Sequence, residues 1–591
     1  MMIPALLGAR PKGGFRGLLC CFFLLLLLPF QAGAAVDAKL AQTYKALAAT
    51  VDPAALRETI RTLSSSGSRV VGYPGEREAA AYAERELVRL LGRENVTAEK
   101  FHATVPIDRG ATLRTGNKTY TIYSLWPNLV RTSKLPPEGV TGPLIYAGNG
   151  RLSAFNGKEV EGAIVLVDFN SGAEWLNAPR LGAKAVIFIE PDRTMRGEAE
   201  AKFLSIPLSI PRFFIRKSEA AALQAAALGR RSPQASLQAD MTWERVEATN
   251  FLAKLPGTDP KLKDQIIVVQ GYYDAMSVVP ALAPGAEQAG SLAALLQTAR
   301  TFQKFRPKRT LWFVVTSGHC LGLQGVREFV EKRIDEWQVP GPFAKLFGGA
   351  KPPKEPIYLW AGLDMASQSR ALGIFYKGNF YDYREDLQNL FSDIARVARE
   401  NNDKVAEVLG YDAKKAFSDG VNPVEGKSWR NFIPGKPAFD SEAVTMAGGF
   451  GVTFASIEDA RNQVDTPFDT FEKVNIANLA QQMRTFVCLF QHYLNDTNDP
   501  NAPPAQQIPL YKPSQWTRMG LRGGFATVSG RVREYDPRRS LVPDDPVADS
   551  LVVFPPPSGS KSYLGVRGNW VQMVEPSQEW QAARAALDVA R

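Results

Sequence analysis

The chain has 591 residues, which is too long for one hydrophobic core and predicts roughly two to four domains. Its apolar fraction of 45% and charged fraction of 22% are those of a soluble globular protein, which excludes a fibrous or disordered chain. The formal net charge of +10 is modest at this length, and Lys and Arg are scattered, so we expect no nucleic-acid partner.

The N-terminus has the pattern of a targeting segment. Arg10, Lys12 and Arg16 precede an apolar run at 18–30, and small residues at 32–34 offer a cleavage site. The run is short for a membrane span, which needs about 20 residues. We therefore predict a signal peptide at residues 1–35 and an exported protein that is periplasmic, extracellular or envelope-associated. An uncleaved anchor stays open, and only that alternative would make a membrane a partner.

The next part of the chain changes from helical to strand-like patterns. Residues 36–104 have apolar side chains at helical spacing and end in a strand, which predicts the helical start of a larger core domain. Within 105–240, the apolar runs at 163–167 and 185–189 are typical of buried strands. A strand, a small helix, Gly-Ala and a second strand resemble the protease-associated (PA) domain, an insertion found in several peptidase families. Another small α/β insertion stays open as the alternative.

Strands and helices alternate in residues 241–497, which predicts an α/β fold with a mostly parallel sheet sandwiched by helices. Ligands in such sheets gather beyond the carboxyl ends of the strands. We expect strands at 266–270, 310–315 and 358–363 and helices at 288–302 and 321–337. A linker at 498–524 then leads to a C-terminal module at 525–591, where strands at 526–532, 550–554 and 570–573 suggest a β-sandwich-like unit.

Several short stretches occur in a recognisable order along residues 50–495. They are Gly67–Arg69 with Gly72–Gly75, Pro284–Ala286 before an Ala- and Leu-rich helix, Pro307–Thr310, and Gly322–Gly325. In this order they resemble the zinc exopeptidase family of co-catalytic aminopeptidases and glutamate carboxypeptidase (peptidase family M28, clan MH). The resemblance implies two zinc ions about 3.5–4 Å apart that activate a water. It also implies carboxylate and histidine ligands and a glutamate general base.

The first two implied metal positions depart from the family's pattern. Where the family has His-x-Asp after a strand, this chain has Tyr272-Tyr273-Asp274, so a tyrosine replaces the ligand and Asp274 keeps the aspartate that supports it. The residue that bridges both metals in the family corresponds to Gln288. Glu287 is one residue away from that position, and we expect its side chain to point elsewhere.

The remaining positions are also altered. The family's Glu-Glu pair is replaced by His319-Cys320, so His319 takes the general-base position and Cys320 a ligand position. Asp364 is the only retained ligand, and Asp465 replaces the last histidine. A neutral phenol and a neutral amide cannot offset the four positive charges of two zinc ions. We therefore expect no catalytic residue and no bound metal at the degenerate positions, which are Tyr272, Gln288, Cys320, Asp364 and Asp465.

These replacements predict an exported pseudopeptidase that binds or scaffolds a peptide or protein and needs no cofactor. One open alternative is an active zinc metallo-exopeptidase, either an aminopeptidase or a carboxypeptidase, and therefore a hydrolase. The other is a rebuilt single-metal site, because His319, Cys320, Asp364 and Asp465 are all competent ligand types. Zinc would be the cofactor in either alternative.

Overall fold

The computed structural model describes residues 36–516 except 205–206, 230, 334–354, 380–386, 423–430, 434–436, 500 and 502–506. Beyond residue 516 it describes only 532–534, 538, 545–547, 550–554 and 570–573. The predicted signal peptide at 1–35 therefore lies outside the described residues. Within the described ranges, no helix is both long enough and apolar enough to cross a membrane.

The described part of the chain opens with three helices, and the first two start at capping aspartates. The Asp37 side chain accepts the Leu40 N–H at the start of the first helix, and Asp52 caps the second, which has Pro53 in its first turn. The helices are α1 (Ala38–Ala48), α2 (Pro53–Ser65), α3 (Pro74–Leu91), α4 (Asn177–Arg180), α5 (Arg196–Glu200), α6 (Lys217–Ala227), α7 (Gly290–Lys304), α8 (Gln324–Glu331), α9 (Gln388–Leu409), α10 (Ala413–Ala416), α11 (Asp440–Met446), α12 (Ile476–Asn495) and α13 (Pro513–Trp516).

Thirteen strands of the described residues form one continuous sheet. They are β1 (Val96–Thr115), β2 (Lys118–Ser124), β3 (Val140–Tyr146), β4 (Ile164–Asp168), β5 (Ala185–Ile189), β6 (Arg212–Ile215), β7 (Gln234–Leu255), β8 (Ile266–Tyr272), β9 (Thr310–Thr316), β10 (Ile357–Asp364), β11 (Leu372–Phe375), β12 (Phe417–Asp419) and β13 (Gly451–Ser456). In the core the order is β7-β9-β8-β10-β13-β11-β12, and β9, β8, β10 and β13 are parallel neighbours. The predicted α/β fold with a mostly parallel central sheet is confirmed.

A long ribbon connects this core to the insertion. Strands β1 and β7 pair along most of their length, with a register shift between Asp108 and Ala111. Beyond the shift, β2 pairs with β1 and β3 with β7, so that β1-β2-β6-β5-β4-β3-β7 closes into a ring of seven strands. The predicted boundaries at 104/105 and 240/241 fall inside β1 and β7. The insertion is therefore joined to the core by continuous strands rather than by loops.

The predicted elements differ from the structure mainly at their ends. Helix α7 begins at Gly290 and α8 at Gln324, two and three residues later than expected, because turns occupy the preceding positions. The predicted part of α8 beyond residue 333 lies outside the described residues. The described part of the predicted linker packs on the core, since Ile508, Leu510 and Trp516 are buried in its main apolar cluster.

Only short pieces of the C-terminal module are described. The strands β16 (Leu551–Phe554) and β17 (Trp570–Met573) form an antiparallel pair, as do β14 (Arg533–Glu534) and β15 (Asp545–Pro546). Two of the three predicted strands are thus present. The third, at 526–532, lies almost entirely outside the described residues, so the β-sandwich-like module stays a prediction.

Candidate functional site

A small pocket lies where the parallel strands of the core end. Tyr272 is the last residue of β8, Asp364 is the last residue of β10, and Gln288 stands in the turn before α7. Together with His319, which follows β9, they line a cavity of ≈ 20 Å³. That volume has room for about one water molecule. The structure thus brings four of the sequence-predicted positions to one place.

Two aromatic rings fill one side of the pocket. The rings of Tyr272 and His319 stack with centroids 3.8 Å apart and planes inclined by 6°. The Tyr272 hydroxyl donates to Asp364 Oδ1 at 3.4 Å. His319 Nδ1 lies 2.9 Å from Asp440 Oδ2, which also accepts from Gln270 Nε2 at 2.9 Å. Burial acts to lower the pKa of His319, but the adjacent Asp440 carboxylate outweighs it and the pKa is raised.

Asp364 is bound by an arginine that the motif comparison did not include. Arg461 Nη1 lies 2.8 Å from Asp364 Oδ1 and 3.0 Å from Oδ2, while Nη2 donates to the Asp364 carbonyl at 3.1 Å. Arg461 has a left-handed backbone with φ of 48°, and its N–H is held by Asp459 Oδ1 at 2.7 Å. Burial acts to lower the pKa of Arg461, but Asp364 together with Tyr272 and Asp459 outweighs it, so the pKa is raised and Arg461 stays charged.

Asp465 is bound by a second arginine, which comes from the insertion. Arg196, the first residue of α5, places Nε 3.2 Å from Asp465 Oδ2 and 2.9 Å from Glu200 Oε1. Gln288 Nε2 lies 3.5 Å from Asp465 Oδ1, and Gln288 Oε1 accepts the Met276 N–H at 3.0 Å. Asp465 is not among the residues that line the pocket but lies directly behind two that do. Its charge is balanced within the protein.

Glu287 contradicts the expectation that it points away from the site. It lines the pocket, and its carboxylate accepts the Ser367 N–H and hydroxyl at 2.7 Å each, together with a hydrogen bond from Gln368 Nε2. The physical reason is that residues 287 and 288 precede the first residue of α7, so helical geometry does not force their side chains apart. Burial raises the pKa of Glu287.

Asp274 and Cys320 make contacts that stabilise the fold, and neither residue lines the pocket. Asp274 accepts the backbone N–H groups of His319 at 3.1 Å and Cys320 at 3.4 Å, and burial raises its pKa to about 6. Asp274 thus fixes the turn after β9. Cys320 is a buried cysteine in an apolar cluster with Phe101 and Met276, and it is not among the described residues that line the pocket.

Two family models match the chain. The PA domain model matches residues 140–223, and the model of Peptidase family M28 matches residues 250–487. The core of the chain is thus similar to Peptidase family M28, and the insertion is similar to the PA domain. The two resemblances read from the sequence are confirmed. No curated protein sequence matches the chain.

Solved structures with similar folds include several bacterial peptidases. An aminopeptidase from Aneurinibacillus sp. strain AM-1 is 21% identical, with 76% of this chain and 95% of that chain covered and a TM-score of 0.40. BSAP, a zinc aminopeptidase from Bacillus subtilis, is 18% identical, with coverages of 78% and 98% and a TM-score of 0.47. A Peptidase M28 precursor from Shewanella amazonensis SB2B is 17% identical, with coverages of 80% and 99% and a TM-score of 0.47.

The residues of the M28 core do not fit a pair of zinc ions. Tyr272 and Gln288 offer neutral donors, and the carboxylates of Asp364 and Asp465 are each paired with a guanidinium group. Two buried cations beside the pocket would repel two further dications. Across the described ranges, no group of three or more His, Cys, Asp or Glu side chains is placed to hold a metal ion.

Sequence reasoning missed the residues that neutralise the site. Arg461 precedes Asp465 by four positions, and Asp440 begins α11, but no motif marks either residue. Arg196 lies in the PA domain, far along the chain from every M28 motif. One signal was present: a retained Asp364 without its partner ligands needs a positive charge when buried, and an arginine is the usual source.

Proposed function

We propose that the chain is an exported pseudopeptidase, in which the M28 fold binds or scaffolds a peptide or protein without hydrolysing it. One observation carries this proposal. The two acidic side chains at the implied metal positions, Asp364 and Asp465, are each paired with an arginine, Arg461 and Arg196. The positive charge that zinc would bring is thus supplied by the protein itself.

The charge balance argues against both zinc-dependent alternatives. A dication near Asp364 would have to displace the guanidinium of Arg461, and the displaced arginine would remain buried beside the metal. A rebuilt single-metal site needs His319, Cys320, Asp364 and Asp465 to converge. Cys320 instead packs in an apolar cluster, and the two aspartates are already bound.

The hydrolytic chemistry also lacks the glutamate that the M28 pattern implies as general base. A general base must lie within hydrogen-bond reach of the attacking water and be free to accept its proton. His319 occupies the base position, with its ring stacked on Tyr272 and its Nδ1 hydrogen-bonded to Asp440. A histidine that is held by an aspartate through Nδ1 can still accept a proton at Nε2, so the proposal rests on the arginine-paired carboxylates and not on His319.

The test combines an activity assay with a metal measurement. We expect no turnover of a panel of aminoacyl and peptide substrates with added zinc or cobalt, and less than one bound metal ion per chain after mild purification. Chelator-sensitive turnover that Asp364→Ala abolishes would overturn the proposal. The binding half of the proposal is tested by panning a random peptide library, in which enrichment that survives chelator is expected.

A further inference from the structure

An open groove lies where the β1–β7 ribbon enters the ring of the insertion, and we call it the ribbon groove. It is lined mainly by residues 108–112 of β1, 121–123 of β2, 238–240 of β7 and the segment 134–137. Its volume of ≈ 850 Å³ lies within the range of about 300–1,000 Å³ that is typical of binding sites. The ribbon groove therefore has room for several side chains of a bound segment.

Hydrogen bonds hold both walls of the ribbon groove. On one wall, the Asp108 carboxylate accepts the Gly110 N–H at 3.1 Å and the Ser124 N–H at 2.9 Å, which fixes the backbone at the register shift of β1. On the other wall, the Leu135 N–H donates to the Ala239 carbonyl at 3.1 Å. The groove is thus preformed, and a segment that fits it does not have to rearrange the strands.

The side chains of the ribbon groove combine an apolar base with charges of both signs. Ile122 and Leu135 line it and are buried, and Tyr123 beside them is half-buried. Lys134 and Asp240 are exposed, with Nζ and Oδ1 3.9 Å apart, so both charges remain accessible to a partner. Amphipathic helices bind grooves of this kind through apolar side chains that recur along one helix face.

The sequence after β17 has the matching pattern. Trp580, Ala583, Leu587 and Ala590 occur at i, i+3, i+7 and i+10, so a helix over residues 577–591 would carry all four on one face. These residues lie outside the described ranges. Their apolar face is suited to a groove and not to solvent, because Trp and Leu bury the largest apolar areas among them.

The charges of this segment complement those of the ribbon groove. Glu579 lies next to Trp580, and Arg584 follows four positions later. Lys134 offers a positive charge to Glu579, and Asp240 offers a negative charge to Arg584. Charge pairs at the edge of an interface mainly set orientation, so these pairs favour one direction of the helix in the groove.

Strand β17 brings the segment close to its groove. Its residues Trp570–Met573 lie against β1 and β7, the two strands that also line the ribbon groove. Residues 577–591 therefore begin only a few positions after a strand that is already docked on the ribbon. Such a short tether gives the segment a high effective concentration at the groove.

We propose that residues 577–591 dock as an amphipathic helix in the ribbon groove of their own chain, with Trp580 and Leu587 as the anchors. This contact joins the C-terminal module to the place where the core and the insertion meet. It involves none of the residues at the implied metal positions, so it stands apart from the proposed function.

A photoreactive side chain at position 580 reports where the segment lies. In the full chain, Trp580 is replaced by p-benzoylphenylalanine, an aromatic residue that forms covalent links to nearby C–H groups under ultraviolet light. We expect links to residues 121–123 and 134–137, located by peptide mapping and mass spectrometry. Mixing chains of two isotopic compositions before irradiation distinguishes links within one chain from links between two chains.

Two pairs of variants test the contact. Thr112 is exposed and lines the ribbon groove, so Thr112→Trp fills it and should lower the yield of links by about tenfold or more. The matched control is Thr119→Trp on β2, which is exposed and not among the lining residues, and it should leave the yield unchanged. On the segment, Leu587→Asp should lower the yield similarly, whereas Gln578→Asp changes the opposite helix face and should not.

Three results would overturn the proposal: no links to the ribbon groove, a yield that Thr112→Trp does not lower, or links that form only between chains. The last result would assign the groove to the segment of a second copy. If Thr112→Trp does not fold by circular dichroism, Gln238→Trp fills the groove from the exposed position opposite it on β7 and gives the same test.

Discussion

Arg461 binds Asp364 through three contacts. Its Nη1 lies 2.8 and 3.0 Å from the two carboxylate oxygens, and its Nη2 donates to the main-chain carbonyl at 3.1 Å. Asp364 is the only residue at the implied ligand positions that matches the M28 pattern. The ion pair gives this buried carboxylate a structural role that needs no bound metal. A single ligand that matches the family pattern is weak evidence of a metal site when a guanidinium occupies its lone pairs.

This pair predicts a large effect of Arg461→Ala on stability. The change leaves the Asp364 carboxylate buried without its partner, so we expect the free energy of unfolding to fall by about 3–5 kcal/mol. Urea denaturation followed by far-UV circular dichroism measures it. Arg396→Ala is the control, because Arg396 makes only exposed pairs on α9 and should cost no more than about 1 kcal/mol. Equal costs for the two variants would contradict the role assigned to Arg461.

The sequence predicted where the site lies better than it predicted which side chains bind one another there. Buried strand patterns place Tyr272 and Asp364 at neighbouring carboxyl ends, so their approach follows from the parallel sheet alone. The roles of Arg461 and Arg196 do not follow, because one depends on a left-handed loop and the other on docking between two domains. Neither feature has a periodicity or spacing that a single sequence reveals.

The sequence also does not predict where the side chains of adjacent residues point. His319 and Cys320 are neighbours in sequence, yet His319 lines the pocket and Cys320 packs in an apolar cluster. Glu287 and Gln288 are also neighbours, and both line the pocket. Outside helices and strands, side-chain direction depends on the tertiary contacts of each turn. A motif alignment therefore identified the positions of these residues but not where their side chains point.

The His319–Asp440 pair predicts a raised histidine pKa. The chain has three histidines, so the imidazole signals of His319 can be assigned by its replacement with Gln and followed by NMR. We expect its titration midpoint above 6.5 because the Asp440 carboxylate outweighs the effect of burial. Asp440→Asn should lower the midpoint. A wild-type midpoint at or below 6.5 would show that burial dominates.

The raised pKa of His319 also makes the stability of the fold depend on pH. Because the pKa of His319 is higher in the folded chain than in the unfolded chain, the pair stabilises the fold fully below pH 6.5. This contribution is lost as the pH rises through the folded pKa. The stability difference between the wild type and Asp440→Asn should therefore be larger at pH 5.5 than at pH 9, as measured by urea denaturation at both pH values.

The raised pKa of Glu76, which lies outside the pocket, predicts that the stability of the fold depends on pH. Its side chain is buried at the start of α3 and accepts from Ser317 Oγ at 2.8 Å, and burial raises its pKa from 4.5 to about 7. The folded chain therefore binds more protons than the unfolded chain between these values, so stability falls as the pH rises through this window. Glu76→Gln cannot ionise, so relative to the wild type it should gain about 2–3 kcal/mol between pH 4.5 and pH 8. Urea denaturation measures the difference in the free energy of unfolding between the variant and the wild type at each pH. The same difference at both pH values would show that Glu76 ionises normally in the folded chain.

The last prediction concerns restoration of the metal site. The five changes Tyr272→His, Gln288→Asp, His319→Glu, Cys320→Glu and Asp465→His return the residues that the M28 pattern implies. We expect this variant to bind less than one zinc ion per chain, because Arg461 and Arg196 still supply two positive charges beside the pocket.

Replacing both arginines with Ala in the restored chain should raise the zinc content toward two ions. Elemental analysis after gel filtration measures the stoichiometry, and circular dichroism checks that each variant is folded. The decisive comparison is between restored chains with and without the arginines, since they share the same ligands. Two zinc ions in the variant that keeps Arg461 and Arg196 would show that the replaced ligands, and not the arginine charges, are what keep metal out of this fold.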